Sequence, residues 1–367
     1  MPAGAFAPLR HPTFRLLWSA SLASNIGLWI QNTGAGWLMT SLAPSPIMVS
    51  LVQAATMLPV FLFALPAGAL ADILDRRLYL IGAQVWITLM ALLLAALTAS
   101  GVLGPWGLVA LTFAIGAGQA ANFPAWAATT PELVPREDLV GAIALNGIGF
   151  NLARAVGPAL GGFVIAAAGV AAAFALNALA FLVLIAALLV WRRPRPSTVL
   201  PKEHFVGAMR AGLRFVSASP AMHAAILRAC VFFFFTAAVW ALLPLVVRER
   251  LGLGPDAFGL MLAAMGLGSV GTGFVLPQIV GRLRERGRTV FAASLLASVA
   301  VALLGLSTHW LPAALSMVLF GAAWISAAST LQTAAQLASP AWVRARAIGI
   351  YQLCFFGALA LGAVLWG

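Results

Sequence analysis

The sequence predicts an all-α polytopic membrane protein, and three observations carry that prediction. Of the 367 residues 62% are hydrophobic and 8% charged, with a mean hydropathy of +1.01, whereas about 25% of a soluble globule is charged. The apolar residues fall in runs long enough to cross a bilayer as helices, which takes about 20 residues. The net charge of +12 is placed almost wholly in the gaps between those runs. It therefore reads as a set of topology determinants and not as a nucleic-acid surface.

Eleven spans follow in order: 16–42, 47–71, 78–100, 106–128, 140–169, 171–191, 224–247, 257–280, 290–307, 311–337 and 345–366. The first begins behind Arg10 and Arg15 and mimics a signal peptide, but its length of about 25 residues exceeds the 7 to 15 of an h-region. It reads as an uncleaved span. With the N-terminus cytoplasmic, 17 of the 21 Lys and Arg fall on the inside and two, Arg248 and Arg250, outside; the positive-inside rule fixes that orientation. Arg154 and Arg228 lie within spans. Cys230 and Cys354 both sit in apolar runs and form neither a metal-ligand spacing nor a disulfide framework.

The longest polar gap separates residues 1–191, an N-terminal six-helix bundle, from 224–367, a C-terminal bundle of five. In the 192–223 linker Phe205, Met209, Leu213, Phe215 and Val216 recur near helical spacing among Lys202, Arg210 and Arg214. Such a pattern predicts an interfacial amphipathic helix, or equally a linker tolerant of both surfaces. Offsets of about 205 and 211 residues lay Pro135 on Pro340, Ala142 on Ala347 and Arg77 on Arg288, as a parallel repeat of six-span units would. In that register a twelfth span is missing, and a truncated twelve-span protein is expected.

The gap between spans two and three, Gly68-Ala-Leu-Ala-Asp72-Ile-Leu-Asp75-Arg76-Arg77, makes those helices antiparallel neighbours. Asp72 falls at a helix C-terminus, where exposed carbonyls repel a carboxylate, so a cation or a facing helix N-terminus is expected beside it.

Gly68, Leu70, Asp72, Arg76 and Arg77 resemble the loop motif of the major facilitator superfamily. Phe14 to Trp18 with Asn25 and Gly27, Phe123 to Trp126 with Pro131 to Pro135, and Asn151 to Gly162 narrow the resemblance to its bacterial secretion-type branch, which includes enterobactin and macrolide exporters. The resemblance runs from Phe14 onward. It implies a major facilitator fold, two six-helix bundles around a central cavity with the twelfth helix missing here, and alternating access. It associates the loop with a gate: Asp72 would hold the cytoplasmic side shut against the start of span eleven, preceded by Arg344 and Arg346. The span-five element Gly157, Pro158, Gly161 and Gly162 is associated with antiport.

This chain departs from the family pattern in four ways. Asp75 replaces the usual glycine of the loop motif. Span four lacks the arginine of many drug antiporters, span twelve is absent, and none of the nine acids lies well inside a span, although proton coupling usually needs a buried titratable group.

Arg154 lies about fourteen residues into span five, where a charge is costly unless it meets a cavity or a partner. It is either a group for anionic or carbonyl-rich substrates or a structural arginine bonding carbonyls freed by Pro158. Arg228, near the start of span seven, is expected to snorkel. The cavity candidates are Asn25, Trp29, Asn32, Gln119, Asn122, Asn146, Trp240, Trp324, Gln332 and Tyr351, joined by Gln31, Gln53 and Gln352; each polar one serves equally well as a bond between helices. Gly266-Leu-Gly268-Ser-Val-Gly271 matches a dinucleotide loop formally, but without a strand before it close helix packing is the better reading.

No Walker loop, zinc motif or nucleophile elbow occurs. No enzyme activity, catalytic residue, metal or cofactor is expected. The resemblance implies a monomeric, multi-pass protein of the bacterial inner membrane with a small-molecule substrate, lipid around it and protons as the candidate coupling ion. It also implies export of lipophilic drug-like or siderophore-like molecules, with an importer of a small organic solute, or a polytopic enzyme or sensor, as the alternatives.

Overall fold

A computed structural model describes residues 6–192, 205–283, 286–340 and 343–367. Eleven α-helices run in order: α1 (Pro12–Leu42), α2 (Pro46–Ile73), α3 (Arg76–Ala99), α4 (Pro105–Leu133), α5 (Leu139–Val190), α6 (Phe205–Ala218), α7 (Pro220–Leu245), α8 (Pro255–Leu283), α9 (Arg286–Leu306), α10 (Trp310–Ala338) and α11 (Arg344–Trp366). Five of them open on proline, where the missing N–H leaves no intrahelical bond unmade.

Among the described residues nine helices are long and apolar enough to cross a membrane. One is the 52-residue α5, which breaks at Gly169, where φ is 82° and ψ 170°. That break coincides with the boundary between 140–169 and 171–191. Both free ends of α5 return to the start of α1, since Ala142 and Leu145 pack with Phe14 while Leu184 and Leu188 pack with Leu17. The two arms are thus an antiparallel pair. The 31-residue α1 falls outside the nine because Ser24, Asn25, Gln31 and Asn32 dilute its apolar middle.

The chain divides into two compact units. Unit 1 comprises residues 1–44, 62–195 and 254–263, so it owns the start of α8. There Gly162 and Gly259 form a close crossing: a Cβ on Gly162 would stand 2.6 Å from the Pro255 carbonyl oxygen and 3.0 Å from Gly259 Cα. Gly157 and Gly161 do the same against α1, meeting Trp29 Cβ at 2.5 Å and Ile30 Cα at 3.1 Å. Without a Cβ at these positions, helix axes approach closely enough to replace lipid contacts by packing.

Unit 2 comprises residues 45–61, 196–253 and 264–367 and includes the first half of α2. Ala54, Ala241 and Ala363 form a small-residue core there, Gly268 abuts the Val318 backbone, and Gly321 abuts Met265. Close packing is therefore what the glycine at 268 supplies. The amphipathic pattern in the linker is a helix, α6, whose Gly212 lies against Arg346 and Ile350 of α11. Lys202 and the side chains of Phe205 and Met209 lie outside the described residues.

Candidate functional site

Unit 1 holds a polar niche walled by three helices. Its lining includes Trp18, Ser21, Leu22, Ser24 and Asn25 from α1, Gln119, Asn122, Phe123 and Trp126 from α4, and Asn146, Gly149 and Phe150 from α5. The residues recur at helical stagger: 18, 21, 22 and 25 on α1 and 119, 122, 123 and 126 on α4 are both i, i+3, i+4, i+7 sets. Four predicted cavity residues, Asn25, Gln119, Asn122 and Asn146, are brought together here.

Most of these amides are held. Asn122 Oδ1 accepts from Gln84 Nε2 at 3.0 Å, Asn146 Nδ2 donates to Thr130 Oγ1 at 2.9 Å, and Asn25 Nδ2 donates to the Ser21 carbonyl at 2.9 Å. The Trp18 indole donates to the Leu145 carbonyl at 3.0 Å. Gln119 differs. The residue is 9% exposed and makes no hydrogen bond among the described residues, and its amide opens onto the niche, where water or a ligand can reach it. The Gln119 amide is therefore the group in this niche most ready to receive a ligand.

The niche volume is about 90 Å³. A drug-sized molecule needs a pocket of about 300–1,000 Å³, whereas about 90 Å³ is room for a few waters. At that size it can take one polar group of a larger molecule. A wider groove of about 630 Å³ between α3 and α4 is lined by Leu78, Gly82, Trp86 and Gly118. That surface is mostly apolar, with Leu78 and Trp86 exposed, as a lipid-facing groove would be.

The other candidates in unit 1 have different surroundings. Trp29 packs on Gly157, and Asn32 is half-buried without a hydrogen bond among the described residues. Gln31 pairs with Asn177, a fully buried amide of the second arm of α5 that the sequence did not single out. In unit 2, Trp324 meets Trp240 at 5.6 Å and Phe233 at 4.9 Å between ring centroids, and Phe355 of α11 completes the cluster. Gln332 accepts from Gln352 at 3.3 Å, and Tyr351 is buried. The Cys230 thiol approaches the Cys354 carbonyl oxygen at 3.8 Å.

The charged loop motif is partly resolved into contacts. Arg77 donates from Nε to the Leu188 carbonyl at 2.9 Å and from a terminal nitrogen to the Leu189 carbonyl at 2.7 Å. Arg76 bonds Glu132 at 2.6 Å and the Ala128 carbonyl at 3.2 Å. The paired arginines thus tie the start of α3 to the C-terminal turns of α4 and α5, where a cation suits the helix dipole. Asp75 is the N-cap of α3, accepting from the Leu78 amide at 3.0 Å. At the same end of the unit, His11 Nε2 donates to Asp138 at 2.8 Å. The side chain of Asp72 lies outside the described residues. A Cβ on Gly68 would meet Pro124 Cβ at 4.0 Å, and Arg344 donates to the Ser339 carbonyl at 3.1 Å.

In the span-five element, Pro158 frees carbonyl groups, yet the Arg154 guanidinium bonds none of them among the described residues. It donates to Asn151 Oδ1 at 3.0 Å. Arg228 is exposed near the start of α7.

Sequence relatives match nearly the whole chain. The chain is 27% identical to the enterobactin exporter EntS of Escherichia coli O1:K1 / APEC over 97% of this chain and 85% of the relative. The same figures hold for EntS of Shigella boydii serotype 18 (strain CDC 3083-94 / BS512). Among solved structures, an inward-facing bacterial homolog of the human lysosomal transporter Spinster superposes with a TM-score of 0.76 at 14% identity, covering 97% of this chain and 81% of that one. A POT family transporter in complex with 5-aminolevulinic acid gives 0.73 at 13% identity, with 96% and 89% covered. These two structures bear on the fold alone. The family model for transmembrane secretion effectors matches residues 3–367, and the chain belongs to that family of the major facilitator superfamily.

Proposed function

We propose that this chain is a secondary transporter exporting lipophilic or siderophore-like small molecules across the bacterial inner membrane by alternating access. The observation that carries this reading is the amide-and-indole niche of α1, α4 and α5, where Gln119 makes no hydrogen bond among the described residues. A neutral, hydrogen-bonding wall flanked by Trp18 and Trp126 suits a flat polar group on an otherwise apolar molecule. The 27% identity to enterobactin exporters supports export as the direction.

The N-terminus is cytoplasmic in this reading, supported by the 17 to 2 distribution of Lys and Arg. Residues 1–191 and 224–367 act as the two bundles, joined by 192–223, and the loop containing Gly68 and Asp72 is the gate with Arg344 and Arg346. The protein works as a monomer surrounded by lipid, without enzymatic chemistry.

Uptake of labelled enterobactin into inverted membrane vesicles tests the reading. Accumulation that falls at least tenfold in Gln119→Leu is expected. Uptake confined to right-side-out vesicles would instead identify an importer, and no movement in either orientation would refute the assignment of this substrate.

A further inference from the structure

Arg154 occupies the middle of the first arm of α5, and its surroundings show which way it faces. Leu152, Val156, Leu160 and Phe163 are each more than a third exposed and form one apolar stripe on that arm. At about 100° per residue Arg154 stands about 200° around the helix from Leu152, nearly opposite the stripe. Four residues before it, Phe150 lines the polar niche.

Among the described residues no ion pair matches the charge on Arg154. A guanidinium has five N–H donors, and the bond to Asn151 Oδ1 is its single hydrogen bond among the described residues. Asn151 is itself anchored, donating to the Gly147 carbonyl at 2.8 Å. Among the described residues the carboxylates lie at helix ends and turns, not in the middle of a span. Asp75 and Asp138 lie at helix N-caps, Glu132 and Asp256 are within two residues of a helix end, and Glu249 lies in the short turn after α7. Of the other four acids, Asp72 is in the last turn of α2 and Glu137 stands beside Asp138, while Glu203 and Glu285 lie outside the described residues.

We propose that Arg154 is the receptor for a negative charge on the exported molecule, a carboxylate or a phenolate, and that the membrane potential drives export without a proton carrier. This rests on the export reading above. The loaded site is neutral and the empty site positive, so each cycle moves one negative charge outward. An inside-negative potential favours that direction, by about fifty-fold in concentration ratio per 100 mV. The neutral niche and Arg154 then divide the recognition: uncharged hydrogen-bonding atoms against Gln119, the anionic group against the guanidinium.

The test uses dihydroxybenzoyl-glycine, a catechol amide with a free carboxylate, beside its methyl ester. Quenching of tryptophan fluorescence in the purified full chain reads binding. The acid is expected to bind at least tenfold more tightly than the ester to the wild-type chain, with the preference kept in Arg154→Lys and lost in Arg154→Gln. In proteoliposomes at equal pH on both sides, a valinomycin-imposed potassium potential is expected to set the direction of acid accumulation, and reversing the potential to reverse it. Equal affinity of the wild-type chain for acid and ester overturns the proposal even if the Gln variant fails to fold. Accumulation that follows a pH gradient and ignores the potential overturns it too. If the acid is preferred in binding yet neither compound moves, the export reading fails while the anion receptor stands.

Discussion

Replacing Arg77 probes whether the paired arginines of the loop motif act through their charge or through the particular carbonyls they reach. Arg77 makes two bonds to the last turn of α5, at 2.9 Å to Leu188 and 2.7 Å to Leu189. Hydrogen bonds from a charged group contribute about 1.5–3 kcal/mol each. Because Arg77 is half-buried, the low end applies, and Arg77→Ala is expected to cost about 3 kcal/mol for the pair. With an unfolding entropy of about 2.1 cal/mol/K per residue, a chain of this length melting as one unit loses about 4 °C. Arg77→Lys retains the charge but not the fork that spans two adjacent carbonyls, so it should recover less than half of the loss. Thermal unfolding in detergent measures both. A melting point within 1 °C of wild type for the Ala variant, or full recovery by Lys, would refute the helix-clamp account and leave only a topogenic role for the pair.

Three further outcomes are expected. Gly157→Val drives a side chain into Trp29 Cβ and the Ile26 carbonyl and should lower stability by about 1–3 kcal/mol, whereas Gly147→Ala, with open space around it, should be neutral or stabilising by up to about 1 kcal/mol; detergent melting curves compare them. Asn122→Leu leaves the amide of Gln84, 1% exposed, with neither end bonded, and should cost about 1–3 kcal/mol. Asn25→Leu, whose amide bonds only its own helix, should instead weaken substrate binding while leaving the melting point nearly unchanged. Asp75→Ala removes the cap of α3 and should cost about 1 kcal/mol, but Asp75→Gly only a few tenths; equal losses in a melting assay would show that the Leu78 amide is not where the carboxylate acts.

Much of the framework was legible because a membrane restricts each crossing to one solution. Length and hydropathy place the helices, and the break within α5 is marked by Gly169 itself. Asn25, Gln119, Asn122 and Asn146 stood out because a polar side chain in an apolar run has few places to go, and all four line the niche. Their partners were another matter. Gln84 and Asn177 look like ordinary polar residues until the register between helices sets them against Asn122 and Gln31, and register depends on three-dimensional packing. Trp18 and Trp126 could have been found from the staggered stripes they share with Asn25 and Gln119. The contacts of Arg77 could not, because they are backbone carbonyls and every residue offers the same one. The two readings of Arg154 looked alike in sequence; among the described residues its guanidinium bonds Asn151 and no carbonyl near Pro158, a contact that side-chain geometry alone reveals.

The single-residue turn at Gly169 bears on how the protein is made. Two crossings joined by one glycine leave no segment on that side to be threaded through the bilayer as a separate event. The arms must enter the membrane together, as a preformed helical hairpin, and a residue with a Cβ at this place would oppose insertion at the same step at which it strains the backbone.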